Sequence, residues 1–391
     1  MLAALAITVA WDFEGGSLGR VETVTPLHVR CHVAGQSDQD GRNRQANWYY
    51  FRVDGGAGQA VTADLVNLPG EYNYKPNRGA VTKDTLPVWS EDQRHWTHFE
   101  SAEYDPAEPR LRLRFAPKSN RFWIAHVPPY GNRDLDALLA SLRGPGLRVE
   151  RIGRSVDGRD IPLVTITDPL VPDSRKKVVW LMFRQHAWES GSSWAAEGAM
   201  RFLMSNGPEA VRIRRGAIFR LFPMCDPDGV AGGGVRFNKH GFDLNRNWDV
   251  DNPSKMPEIA AQKKAVLDWV DSGHRLDLFL TLHNTETGEY LEGPPGDDEA
   301  FGALGGRFFE LLKEHSTFAP TRPFFRGAAT TTEGKPGRMT VSQGLYLARK
   351  PPAFGMEQMI ARNPRLGRLP SVDDRKAFGE GLVRAAWLAV Q

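Results

Sequence analysis

The sequence predicts an α/β domain with a mixed, largely parallel open sheet flanked by helices, preceded by a small antiparallel β-sandwich domain. Three observations predict it. Before residue 128 the apolar runs are short, aromatic and punctuated by Pro, Gly and Asp. After Arg133 longer apolar runs alternate with helical stretches. Between the two, Pro128-Pro129-Tyr130-Gly131 marks a boundary, which gives domains over residues 1–127 and 128–391.

In the first part, Asn47 to Val53, Arg94 to Phe99, Leu111 to Phe115 and Arg121 to Val127 are rich in aromatic and β-branched residues, as strands are. Leu111, Leu113 and Phe115 alternate with Arg112 and Arg114, the period-2 pattern of a half-buried strand. The apolar opening MLAALAITVA is what an export signal's apolar region would leave, yet it lacks a basic lead-in and runs straight into Trp11-Asp12-Phe13-Glu14. We read Leu5 to Phe13 as the first strand.

In the second part, Leu135 to Leu142 reads as a helix stopped by Gly144-Pro145-Gly146. Val178 to Phe183, Ala217 to Met224, Leu276 to Leu282 and Ala353 to Met359 read as strands. Their near-continuous apolar character predicts burial on both faces, hence a parallel sheet. Residues 192–204, SSWAAEGAMRFLM, read as a covering helix.

Composition narrows the function classes. A hydrophobic fraction of 41% and a charged fraction of 25% are those of a soluble globular protein. Net charge is +3 without a long basic run, so neither nucleic acid nor an anionic membrane is an expected partner. No apolar run approaches the ~20 residues of a membrane span. Cys31 and Cys225 lie far apart, too few for a disulfide framework and outside any Cys-x-x-Cys pair. They suit a reducing, cytoplasmic compartment, although an exported protein with few cysteines fits them too.

The chemistry collects just past the strand ends. The first apolar strand leads into Arg184-Gln185-His186-Ala187-Trp188-Glu189, the second into Asp226-Pro227-Asp228-Gly229, the third into His283-Asn284-Thr285-Glu286. In open α/β sheets ligands bind outside the carboxyl ends of the strands. His186 and Glu189, three apart, can converge on one cation, and His283 would complete the two-His, one-Glu set of many catalytic zinc sites, with a fourth position left open. His-x-x-Glu alone is a weak motif, and His283 with Glu286 has the same spacing, so spacing leaves two candidate pairs. Asn245-Arg246-Asn247 is unusually polar between Leu244 and Trp248. An Arg fork takes a carboxylate bidentately, and an Asn amide adds a neutral donor. A solvated surface turn is the other reading of that run.

His186-x-x-Glu189, Arg236, Asn245-Arg246, His283 and Glu357 occur in the order and approximate spacing of the zinc carboxypeptidases. The chain resembles most the cytosolic-carboxypeptidase branch, whose members include protein deglutamylases. DPDGV at 226–230, GFDLNRNWD at 241–249 and the lead-in Gly153 to Ile161 carry that likeness. FEGGSLGRVE at 13–22 and the PPY at 128–130 extend it to the branch's N-terminal β-domain. The resemblance implies one zinc per chain held by His186, Glu189 and His283, which decides between the two pairs. It implies Glu357 as general base, Arg236 as the group polarising the scissile carbonyl, and Asn245 and Arg246 as the clamp on the terminal carboxylate of a peptide or protein. It leaves Glu286 as a residue of the rim.

Two departures stand out. Many members cover the substrate with a tyrosine upstream of the base, but Leu291 to Leu345 contains none, and Tyr346 is too near Glu357 to be assigned that role. HNTE after the third ligand strand also differs from the branch's common form. An acidic terminal residue is the expected preference, from the deglutamylase likeness and from Arg322, Arg326, Lys335, Arg338, Arg349 and Lys350 against the single acid Glu333; Arg338 is the expected pocket cation. Two alternatives compete with this reading. Aspartoacylase-type zinc amidohydrolases of N-acyl amino acids share the triad and the Asn-Arg pair, but the β-domain and DLNRNW argue against them. A non-catalytic binding protein on the same fold would have lost a ligand or the base, and here all are present.

Overall fold

The computed structural model describes residues 6–72, 74–77, 81–331 and 335–391. Leu5 and Glu333 lie outside the described residues.

The four apolar runs form the middle of an eight-stranded mixed sheet. Its order is Leu147–Arg154, Asp160–Ile166, Ala217–Phe222, Lys177–Phe183, Leu278–Thr285, Ala353–Met359, Tyr290–Gly293 and Phe325–Arg326. The central four are mutually parallel, and the strands flanking them on either side join antiparallel. Lys177–Phe183 shows why its sequence is apolar throughout. Val179, Leu181 and Phe183 enter one core cluster, while Val178, Trp180 and Met182 enter another on the opposite face. Both faces are covered, as a parallel sheet requires.

Helices Ser190–Met204, Glu299–His315 and Val372–Ala389 cover the first face. Two of them cross closely because glycine permits it. A β-carbon on Gly198 would lie 2.0 Å from the Lys376 carbonyl oxygen, and one on Gly379 would lie 1.9 Å from that of Ala195. Helices Pro257–Asp271 and Val341–Arg349 cover the other face. The lead-in Gly153 to Ile161 is tied to the turn after Ala217–Phe222. Buried Asp228 accepts from Ser155 Oγ (2.8 Å), the Asp157 amide (2.7 Å) and Arg159 Nη1 (2.7 Å).

The N-terminal part pairs two five-stranded sheets around a common core. Phe51, Val53, Phe122 and Ile124 come from one sheet; Val29, Leu65, Leu111 and Leu113 come from the other. The first strand is Thr8–Ala10, shorter than the expected Leu5 to Phe13. Tyr50–Asp54 starts three residues later than expected, leaving Asn47 outside the ladder. One pairing, His28–His32 with Val61–Val66, is parallel in an otherwise antiparallel sandwich. The outer face of the first sheet is not solvated. Trp48, Tyr50, Val88, Ala125 and Val127 pack there against Trp188, Val235 and Ile360. No described helix is long and apolar enough to cross a membrane.

Candidate active site

Lys177–Phe183 ends in a sharp turn that carries His186 and Glu189. Arg184 takes a left-handed conformation there (φ 59°), one that costs a non-glycine residue of order 1–3 kcal/mol. The strain is held by a fully buried guanidinium. Its Nε donates to the Ala187 carbonyl (2.8 Å), and its Nη1 to the Tyr130 carbonyl (3.1 Å) and Ser193 Oγ (3.0 Å). The turn therefore stays fixed, and Glu189 stands at the N-cap position of the helix that follows, its carboxylate left free of any capping bond.

His186, Glu189 and His283 converge, each 2% exposed, with their ligand atoms within 4.8 Å of one another. His186 Nδ1 lies 2.6 Å from Glu189 Oε1, and His283 Nδ1 lies 2.9 Å from Oε2. Burial opposes ionisation of Glu189, but the two imidazoles hold its carboxyl well below the usual range. The outer nitrogens are occupied as well. His186 Nε2 is 3.0 Å from Asp243 Oδ1, and His283 Nε2 is 3.1 Å from Gln185 Oε1. Gln185 is itself fixed, accepting from Thr281 Oγ1 (2.7 Å) and donating to the Leu244 carbonyl (2.8 Å). Outer partners of this kind orient metal-binding imidazoles and set their tautomer. The donor set thus fits a zinc ion: two inward nitrogens, each supported from behind, and a carboxylate.

Strand register brings in the other predicted groups. His283 is the direct partner of Glu357 across the parallel ladder, and Tyr290 is its partner on the far side. Glu357 Oε2 is buried without a hydrogen-bond partner. Burial, then the Glu189 charge, push its carboxyl well above the usual range, against the pull of Arg236. Arg236 Nε donates to Asp243 Oδ2 (2.7 Å), so one aspartate links Arg236 to His186.

The clamp residues are placed unequally. Arg246 Nη1 donates to the Asn245 carbonyl (2.8 Å), and no carboxylate among the described residues pairs with its guanidinium. The Asn245 amide is engaged: Nδ2 lies 3.2 Å from His283 Nε2, and Oδ1 accepts from the Val341 amide (3.1 Å). Arg338 lines a small cavity of about 60 Å³ together with Arg236, Asp243 and Arg246. The same cavity is closed by Arg42 and Gln45 of the N-terminal part.

Three other cations expected near the pocket have partners of their own. Arg349 pairs with Asp271 (2.6 Å), Arg326 donates to the Pro294 carbonyl, and Arg322 stacks on Tyr290 and Phe325. Tyr346 packs on Phe301.

Sequence reasoning missed several participants. Asp243 sits inside the quoted GFDLNRNWD run, two residues before Asn245, so its motif was visible though its role was not. Gln36 and Asn47 come from the N-terminal part. Gln36 Oε1 accepts from the amides of Val235 (2.8 Å), Arg236 (2.7 Å) and Phe237 (2.9 Å), fixing the loop that presents Arg236. Asn47 Nδ2 donates to Glu286 Oε1 (2.5 Å). No local signal pairs residues some 200 positions apart.

Fold and donor set define the class of an α/β metallohydrolase with one metal position, set at the carboxyl edge of its sheet. Residues 137–300 match the family model for zinc carboxypeptidase, and residues 9–127 match that for the cytosolic carboxypeptidase N-terminal domain. The chain belongs to the zinc carboxypeptidase family, in the branch of the cytosolic carboxypeptidases. An uncharacterised protein of Zymomonas mobilis is 28% identical over 312 residues, 78% of this chain and 76% of its own length. Cytosolic carboxypeptidase 6 of Mus musculus is 27% identical over 73% of this chain, and the match spans 55% of the mouse protein. The structure of a metallo-carboxypeptidase from Burkholderia cenocepacia superposes over 99% of both chains with a TM-score of 0.81 at 22% identity, a likeness of fold.

Proposed function

We propose that this metallocarboxypeptidase is a zinc-dependent exopeptidase that removes the C-terminal residue of a peptide or protein. The observation that carries the reading is the convergence of His186 Nδ1 and His283 Nδ1 on the two oxygens of Glu189, beside the unpartnered Glu357 Oε2. One zinc bound by these three residues would supply Lewis-acid polarisation and acidify water. Glu357 accepts the proton of the attacking water and returns it to the leaving amine. Arg236, anchored by Asp243, faces the charge that develops on the carbonyl oxygen. Arg246, with Asn245 once its amide turns from His283, holds the free terminal carboxylate. An internal peptide bond has no such carboxylate and would leave the arginine desolvated and unpaired.

The domain division at 127/128 belongs to this proposal, as does residence in the cytoplasm, which the two buried free cysteines and the name of the mouse relative support. Of the cations of residues 322–350 behind the expected acidic preference, Arg326 and Arg349 are engaged elsewhere, while Arg338 lines a cavity with Arg246 and Arg322 lies on the Tyr290 ring. Metal analysis tests the core reading. Purified protein should carry close to one zinc per chain, and His186→Ala or His283→Ala should lose it. A variant that keeps full zinc would overturn the ligand assignment.

A further inference from the structure

The strand Tyr290–Gly293 places a second carboxyl beside the base. Tyr290 pairs with Glu357 and Glu292 pairs with Gly355, so Tyr290, Glu292 and Glu357 share one face of the sheet. Glu292 lies over two glycines. A methyl group on Gly355 would meet Glu292 Cγ at 3.4 Å and Oε1 at 3.5 Å, and one on Gly327 would meet Oε2 at 3.5 Å. The side chain is half-buried, and it makes no hydrogen bond or ion pair among the described residues. Burial pushes it above the usual carboxylate range, while Arg322 and Arg246 pull it back from beyond ion-pairing distance. Arg322 is exposed and held on the Tyr290 and Phe325 rings at 4.3 and 3.8 Å.

Glu292 thus feels both Arg246, which would take the terminal carboxylate, and Glu357, which would act at the scissile bond. The side chain of a C-terminal residue leaves its α-carbon between those two points. A half-buried carboxyl without a protein partner is free to meet a substrate cation, which would gain a charge-assisted contact there.

Resting on the carboxypeptidase reading, we infer that Glu292 is the specificity-determining residue of the terminal pocket and selects a cationic C-terminal side chain, lysine or arginine. An acidic side chain would meet a like charge there, so Glu292 also rejects the substrates that the sequence favoured. A neutral terminal residue of similar length, methionine, gains nothing from the carboxyl and suffers no repulsion.

Peptides on one stem ending in Lys, Met or Glu decide it. For the wild type, kcat/KM should fall in that order, with Lys at least about tenfold above Met, the difference made by one charge-assisted contact of roughly 1.5 kcal/mol or more. In Glu292→Gln the Lys-to-Met ratio should fall toward one, and in Glu292→Arg the Glu peptide should overtake the Lys peptide. The ratios are internal to each preparation, so a partly unfolded variant does not mimic the result. A wild type that prefers Glu, or a Lys-to-Met ratio unchanged in Glu292→Gln, overturns the inference while leaving the exopeptidase reading intact. Absence of hydrolysis of all three by zinc-loaded wild type would overturn both.

Discussion

At the metal-binding end of the cleft, each imidazole is engaged at both nitrogens, and Glu189 is engaged at both oxygens. At the recognition end, Glu292 and Arg338 have no partner among the described residues, and Arg246 reaches only a backbone carbonyl. The first arrangement fixes geometry before substrate arrives, as preorganised catalysis needs. The second leaves charge to be satisfied by substrate, which makes the wrong substrate costly. Glu357 belongs to both ends: its strand neighbour is His283, and its Oε2 has no partner.

This contrast can be broken from either side. Replacing the poised group should hurt most. Glu357→Gln keeps the side chain's shape but cannot accept a proton, so kcat should fall roughly 10²–10⁴-fold with zinc content unchanged. Near wild-type turnover would assign the base to another carboxylate, with Glu286 next in line. Loosening the fixed end should cost less. Asp243→Asn weakens the support behind His186 and Arg236 together, and metal affinity or activity should drop roughly 10–100-fold. Zinc competition with a chelator, read beside steady-state rates, separates the two effects; wild-type values for both would mean that Asp243 is a bystander.

Two smaller effects probe how the N-terminal part holds the cleft. Gln36→Ala strips one acceptor from three backbone amides and should destabilise the fold by about 1–3 kcal/mol, with a rise in KM as the Arg236 loop loosens. Urea titration would expose the idea as wrong if the midpoint did not move. His126 is fully buried between Tyr49 and Trp188, and neither ring nitrogen has a hydrogen-bond partner. Burial pushes its pKa down to about 3, against an ordinary value near 6.5 in the unfolded chain. The unfolded chain therefore takes up the proton first. The stability tied to neutral His126 is complete above pH 6.5 and is lost as pH falls from there toward 3. At pH 5.5 the loss is about 1.4 kcal/mol. His126→Phe should remove this part of the pH dependence, measured as the difference in unfolding free energy between pH 7.5 and 5.5. An unchanged difference would place the sensitivity elsewhere.

What the sequence displayed follows the same contrast. The candidate ligands stood out because they lie at the ends of apolar runs, where strand burial delivers polar residues to one rim. Spacing left His283 with Glu286 as a second pair, and only the family resemblance chose between the two. Glu357 was singled out by the family resemblance, not by its place in Ala353–Met359 alone. Asp243 escaped because an aspartate in a polar turn has no spacing that announces a bridge between His186 and Arg236. Gln36 and Asn47 escaped because tertiary packing alone brings them to residues some 200 positions away. Glu292 escaped because Tyr290–Gly293 is only four residues long, too short for a strand pattern to show. The cations of 322–350 carried less information for a related reason. Net charge along a loop says nothing about direction, and Arg349 pairs with Asp271 while Arg338 lines a cavity with Arg246.

The central claim is that a metal-dependent site acts only where a chain ends. The direct measurement is mass-spectrometric release of the last residue from one peptide in two forms, free acid and C-terminal amide. The account predicts that the acid loses its last residue, that a chelator abolishes the loss, and that added zinc restores it, while the amide stays intact. Equal cleavage of both forms, or cleavage of the acid that persists after the metal is removed, would contradict it.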